Sequence, residues 1–226
     1  MEQIPFNISE DLLPPRTDPR CPVVLLLDTS GSMSGSPIQE LQNGISQLKS
    51  ELEQDDLTKH RVELCVVTFG GNVEVYEFMN VDNFAIPKLF ATADTPMGQA
   101  ILTGLEKLEV KKDEIKNNGF PLFRPWVFLI TDGAPTDGND LWNRAKNTIK
   151  VGEKNKKFLF YSIGVQNADM NKLSELSDER PPLKLNGLKF SEFFRWLSSS
   201  LSSLAKSQPG DKISLPPVSS WTKLTS

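Results

Sequence analysis

Two short runs of unbroken apolar residues, each leading into an aspartate, constrain this chain more than any other feature. Val23-Val24-Leu25-Leu26-Leu27 runs into Asp28, and Trp126-Val127-Phe128-Leu129-Ile130 runs through Thr131 into Asp132. Successive side chains of a strand point to opposite faces, so an unbroken apolar run leaves neither face suited to water. Such strands belong inside a parallel sheet covered by helices on both sides. Both runs are far too short to span a bilayer.

The rest of the pattern supplies the helices and the other strands. Val62, Leu64 and Val66, continuing to Phe69, read as a second strand. Gly70-Gly71-Asn72 reads as a tight turn, and Val73 to Phe78 as an antiparallel return. Phe158 to Ile163 is a further strand. Ile38, Leu41, Ile45, Leu48 and Leu52 step by three and four, one face of a helix. Its start reads as Ser36 at the N-cap, Pro37 at the first helical position and Gln39 closing a capping box. Thr95-Pro96 opens a second helix with Met97, Ile101, Leu105 and Leu108 inward. Leu141, Ala145 and Ile149 mark a third from about Asp140, and Met170, Leu173 and Leu176 a short fourth. Phe193, Phe194, Leu197, Leu201 and Leu204 mark the last.

Alternating strands and helices predict an α/β fold: a doubly wound, mostly parallel central sheet with one antiparallel edge strand and helices on both faces. The length of 226 residues suits one domain with extensions. Residues 1–20, with Pro5, Pro14, Pro15 and Pro19, read as an extended arm. Residues 21–206 form the body, and 207–226 a Pro- and Ser-rich tail. Trp221 is the one large anchor of that tail, either pinned to the body or offered to a partner.

Composition removes several functions. The single histidine, His60, read as a solvated loop residue, makes a Ser-His-Asp triad improbable and excludes any site needing two imidazoles. Two cysteines, Cys21 and Cys65, cannot alone build a disulfide framework or a thiolate zinc site, and read as buried packing residues. A net charge of -4 argues against a general nucleic-acid binder, and nothing points to a membrane partner. The mixed, acidic start, Met1 to Asp11, lacks the charged-then-apolar order of a signal peptide, so the expected compartment is the cytoplasm, with reduced thiols.

The chemistry gathers where the strands end. Ligands of open α/β sheets bind at the carboxyl ends of the strands. Asp28-x-Ser30-x-Ser32 follows the first buried strand, Thr95 stands where a loop enters a helix, and Asp132 follows the central strand. Asp28, Ser30, Ser32, Thr95 and Asp132 offer oxygen only, which suits hard divalent cations: Mg²⁺ first, with Mn²⁺ or Ca²⁺ as alternatives. With two carboxylates and three neutral hydroxyls, the set barely neutralises such an ion. An open coordination position would then attract an acidic group from a partner protein.

These residues carry a resemblance. Asp28-Thr29-Ser30-Gly31-Ser32-Met33, Thr95-Pro96-Met97-Gly98 and Thr131-Asp132-Gly133, in that order, resemble the metal-ion-dependent adhesion site of von Willebrand factor type A (VWA) domains. The likeness runs from about Cys21 to Leu204. Within that superfamily the chain is similar to the bacterial TerY-like proteins linked with tellurite resistance. This likeness rests on Cys21 to Asp28, on Phe128 to Asp137 and on the proline tail before Trp221. The resemblance implies that Ser30, Ser32 and Thr95 ligate the metal directly or nearly so, that Asp28 and Asp132 often act through water, and that a partner's carboxylate completes the octahedron. It also implies an adaptor or scaffold rather than an enzyme, with a Ser/Thr kinase and a protein phosphatase as companions in stress response or phosphorylation signalling. One departure is Asp94, where the family usually has a small residue; its carboxylate is expected to face solvent. Asp137 reads as a turn or helix-start residue rather than a ligand. Two alternatives are a VWA-fold module that binds partners without metal and an Mg²⁺-dependent phosphatase of the HAD type using Asp28. The second lacks its general acid, because Ser30 occupies that position and cannot donate a proton near neutral pH.

Overall fold

The computed structural model describes residues 18–223; apart from residues 18–20, the arm lies outside the described residues. The strands are β1 (Cys21–Asp28), β2 (Val62–Gly70), β3 (Asn72–Asn80), β4 (Trp126–Thr131), β5 (Leu159–Gly164), β6 (Leu183–Leu185) and β7 (Thr222–Lys223). The helices are α1 (Ser36–Glu53), α2 (Asp56–Arg61), α3 (Met97–Asn117), α4 (Asn139–Lys154), α5 (Met170–Ser174) and α6 (Phe190–Ala205). One sheet runs in the order β3-β2-β1-β4-β5-β6-β7. The pairs from β2 through β6 are parallel, and β3 closes one edge antiparallel, as the glycine turn predicts.

The two apolar runs sit side by side at the centre, with Leu25 opposite Phe128. Alternation then divides their side chains between two cores. Val23, Leu25 and Leu27 face α1 and α6 with Phe128 and Ile130, whereas Val24 and Leu26 face α3 and α4 with Val127 and Leu129. Every residue of β1 and β4 is buried. Fully burying a Val, Leu or Phe contributes about 1.5–3 kcal/mol, so these strands anchor the fold.

Four local readings differ from the sequence expectation. Helix α1 is capped by Gly35 at φ 83°, with Ser36 already helical and no side-chain cap, so its start shifts by one residue. His60 is exposed in the last turn of α2 rather than in a loop; Asp55 caps that helix by accepting from the amides of Leu57 and Thr58. The three-residue strand β6 was too short to leave a period. The tail also joins the sheet: β7 pairs antiparallel with β6 and adds a second antiparallel edge. Trp221 is fully buried, 5.0 Å from the Phe193 ring and 5.4 Å from Trp196, so it pins the tail to the body. The Trp196 indole N–H donates to the Pro216 carbonyl at 2.8 Å and fastens the same segment.

At the other end of the chain, residues 18–20 dock on the body. Asp18 pairs with Arg61 at 2.7 Å, and the Arg20 amide donates to the Pro121 carbonyl at 2.9 Å. Cys21 and Cys65 are free and buried. Burial pushes both thiols up, Cys65 to about 12, which keeps them protonated and inert as nucleophiles.

Candidate metal centre

The sheet order reverses between β1 and β4, because the chain winds from β1 to β2 on one side and resumes with β4 on the other. A crevice opens outside the carboxyl ends of two such strands. Register places Leu27 opposite Ile130 there, so Asp28 and Thr131 end the two strands as neighbours.

Asp28 is fully buried. Its carboxylate accepts the Ser30 amide at 2.8 Å and the Thr131 hydroxyl. The first bond curls the chain into an Asx turn, which brings the two serines back over the strand end. Ser30 Oγ lies 3.0 Å from Ser32 Oγ, and Ser32 Oγ donates to Asp132 Oδ1 at 2.6 Å. Thr95 closes the other side. A methyl group built on Gly133 would lie 3.5 Å from Thr95 Oγ1 and 3.7 Å from Asp28 Oδ2, so the bare glycine keeps a shared volume open between them. All five residues named from the sequence therefore meet at one rim. Asp28, Ser30, Thr95 and Asp132 are buried, and Ser32 stands exposed at the mouth.

The supporting contacts were not legible in the sequence. Loops Thr95–Pro96 and Asp132–Asp137 are stitched reciprocally: the Thr95 amide donates to Thr136 Oγ1, and the Thr136 amide to the Thr95 carbonyl, each at 3.0 Å. Pro96 stands at the N-cap of α3 and offers no side-chain acceptor, so the first-turn amides need one from elsewhere. Asp137 supplies it, with Oδ2 accepting from Gly98 at 2.5 Å and Oδ1 from Gln99 at 3.1 Å. Asp137 thus caps a helix, but one whose first turn lies 39 residues earlier in the chain, at Gly98, rather than the one it introduces. Thr95 does not cap α3, and its hydroxyl makes no hydrogen bond among the described residues.

On the β2 side the first loop is fixed through its backbone. The Thr29 amide donates to the Phe69 carbonyl at 2.9 Å, and the Thr92 and Gly31 amides donate to the Thr29 and Ala93 carbonyls at 2.7 and 3.0 Å. A Cβ on Gly70 would lie 2.1 Å from the Thr29 carbonyl oxygen, so only glycine lets the loops approach. Asp94 is exposed, and its carbonyl accepts the Gly71 amide at 2.8 Å.

Electrostatically the rim is under-compensated. Burial pushes the Asp28 carboxyl above its ordinary range, against the hydrogen bonds from Ser30 and Thr131, and the nearby negative charge of Asp132 adds to the rise. Burial raises Asp132 likewise, opposed by its bond from Ser32. Among the described residues no Lys, Arg or His forms an ion pair with either carboxylate. Two buried acids without a protein cation create a demand for external positive charge. The donor set fits a hard cation. An octahedral ion with oxygen ligands at 2.0–2.1 Å holds neighbouring ligands about 2.9 Å apart, close to the 3.0 Å between Ser30 Oγ and Ser32 Oγ. Among the described residues no three His, Cys, Asp or Glu side chains gather to hold a metal. This cluster differs in being built largely of hydroxyls.

Comparison with known proteins agrees with the fold. The protein superposes on the pilus adhesin SpaC of Lactobacillus rhamnosus GG with a TM-score of 0.67 at 12% identity, covering 82% of this chain and 30% of that one. It superposes on the VWF domain of the type V pilus tip protein Mfa5 of Porphyromonas gingivalis with a TM-score of 0.60 at 10% identity, covering 87% and 99%. For the manganese-loaded TRAP protein of Plasmodium vivax the TM-score is 0.51 at 19% identity, covering 73% and 65%. In sequence, an uncharacterised protein of Synechocystis is 29% identical over 123 residues; the match takes in 51% of this chain and only about a quarter (26%) of that relative's length. No helix among the described residues is long and apolar enough to cross a membrane. The family model of the von Willebrand factor type A domain matches residues 23–186, which contain every residue of the rim, and the chain belongs to that family.

Proposed function

We propose that this chain is a non-enzymatic protein-binding module whose rim holds a divalent cation and docks an acidic group of a partner. The observation that carries this reading is the buried Asp28 carboxylate, which among the described residues has no cationic partner and shares its volume with hydroxyls from separate loops. Ser30, Ser32 and Thr95 would hold the ion through neutral oxygens, with Asp28 and Asp132 behind them. Mg²⁺ suits this compact, hydroxyl-rich set first, with Mn²⁺ or Ca²⁺ as alternatives. Because the protein contributes few formal charges, the ion keeps an affinity for an external carboxylate. The exposed position of Ser32 at the mouth supports access from outside.

The absence of a proton donor two residues after Asp28, where Ser30 stands, favours binding over phosphoryl chemistry. The likeness to TerY-like proteins supports a bacterial, cytoplasmic adaptor in stress response or phosphorylation signalling, with a Ser/Thr kinase and a protein phosphatase as companions. The reading is tested by thermal unfolding with and without millimolar Mg²⁺ or Mn²⁺, and by recovery of partners with and without EDTA. The expected result is a rise in Tm that Asp28→Ala abolishes, and partner recovery that EDTA prevents. A wild-type Tm indifferent to both ions would leave the metal-free module, and equal recovery in both arms would defeat metal-bridged docking.

A further inference from the structure

Away from the metal rim, α3 and α4 lie side by side on one face of the sheet and leave an open groove of about 530 Å³ between them. Its apolar lining is Leu102 and Leu105 from α3, with Phe158 fitted against the bare face of Gly152, and Asn147 and Thr148 of α4 line it beside them. Val151, 55% exposed, stands at its edge. The two walls carry opposite charge. On α3 stand Glu106 and Glu109; on the α4 side stand Arg144 and Lys157.

The charges on these walls are largely unspent. Glu109 pairs with Lys112 on its own helix at 2.8 Å, but among the described residues Glu106, Arg144 and Lys157 form no ion pair, and none crosses the groove. Other charged residues of the same helices are paired: Lys107 with Glu77, Lys146 with Glu175 and Lys150 with Asp178. An apolar patch between two walls of opposite sign matches an occupant with an apolar stripe flanked by both kinds of charge. A helix meets this need, since residues at i, i+3, i+4 and i+7 make the stripe and the adjoining positions make two separate flanks. A third helix seated over two packed helices is also ordinary ridge-and-groove packing.

We infer that the α3–α4 groove is a second docking surface, independent of the metal rim, for an amphipathic helix of a partner protein with one acidic flank and one basic flank. The acidic flank lies against Arg144 and Lys157, the basic flank against Glu106 and Glu109, and the stripe covers Leu102, Val151 and Phe158.

The test uses the full chain and three fluorescent, helix-stabilised peptides of equal length sharing one leucine stripe. One has a Glu flank and a Lys flank, one has Glu on both flanks, and one has Lys on both. Reversing the direction of the mixed helix exchanges its flanks, so the comparison does not depend on polarity. The mixed peptide is expected to bind at least tenfold more tightly than either uniform peptide, with EDTA making no difference. Amide-exchange protection is expected over α3 and α4. Val151→Asp is expected to weaken binding at least tenfold while Tm stays near wild type, because the site is exposed. The double variant Arg144→Glu/Lys157→Glu is expected to transfer the preference to the all-Lys peptide. Equal binding of the three peptides, no binding, or protection elsewhere overturns the inference; none of these outcomes bears on the metal reading, which EDTA tests separately.

Discussion

Asp28 and Glu153 are both acids buried against the same sheet, at opposite ends, and the protein treats them differently. Glu153 sits near the amino ends of the strands. Its carboxylate accepts the Phe160 amide at 3.0 Å and the Ser177 hydroxyl, and pairs with Arg180. The Arg124 guanidinium adds a bond to the Glu153 carbonyl at 3.2 Å. Asp28, at the carboxyl ends, has an amide and a hydroxyl but, among the described residues, no guanidinium or ammonium. A buried acid that brings its own cation completes a structural network. One that is hydrogen-bonded and, among the described residues, left without a cation is what the proposed ion site calls for. The difference separates a part of the molecule that holds the fold from the part proposed to bind.

The comparison breaks most visibly if the cation at the structural end is removed. Arg180→Ala leaves Glu153 buried without its partner, and is expected to cost about 3 kcal/mol of stability. Urea unfolding should give the same loss with Mg²⁺ or with EDTA, because this network is remote from the rim. A loss that depended on metal would mean the two ends are coupled.

At the rim the expected pattern is the reverse. Asp28→Asn keeps the shape and removes the charge, so in EDTA its stability should lie within about 1 kcal/mol of wild type or above it, since an uncompensated buried charge is gone. With metal at a hundred times its Kd, wild type should gain about 2.7 kcal/mol and the variant nothing. Paired thermal melts check this directly.

Much of this contrast was legible in the sequence, for a physical reason. Asp28 and Asp132 follow unbroken apolar runs, and a run of that kind fixes both the strand and the point where it leaves the sheet. The ends of neighbouring parallel strands then have to meet. Ser30, Ser32 and Thr95 were legible through spacing and through the resemblance those motifs carry. Glu153 was not, because one acid in the lysine-rich stretch Lys150 to Lys157 looks like a solvated helix residue until β5 and Arg180 close over it. Asp137 reads in the sequence as a turn or helix-start residue, but the helix it caps is not legible there, since the contact spans two loops. The sequence leaves Trp221 open between two roles, because a lone aromatic in a proline-rich tail carries no period. The pocket formed by Phe193 and Trp196 decides it.

Smaller effects sharpen the account. Asp137→Ala removes the borrowed cap of α3 and should cost about 1 kcal/mol, the usual worth of an N-cap. Because the same loop positions Thr95 and Asp132, the variant should also bind metal more weakly, which calorimetric titration would read. A plain capping residue would change stability alone. The smallest effect belongs to Glu175, which the Lys146 and Lys172 ammonium groups and the Trp142 indole hold down to about 2 from its ordinary 4.5. A depressed carboxyl stabilises the folded state fully above pH 4.5 and loses that contribution as pH falls toward 2. Its partial exposure limits the effect to under about 1 kcal/mol. Glu175→Gln should therefore narrow its gap from wild type as acid unfolding is followed from pH 5 to pH 2.

The most direct test of the central claim is an anomalous-scattering map from crystals grown with Mn²⁺. The account predicts one peak at the rim, about 2.2 Å from the hydroxyl oxygens of Ser30 and Ser32, with the Ser32–Asp132 hydrogen bond lengthened or bridged by water. A map without a peak there at millimolar Mn²⁺, with that hydrogen bond intact, would contradict it.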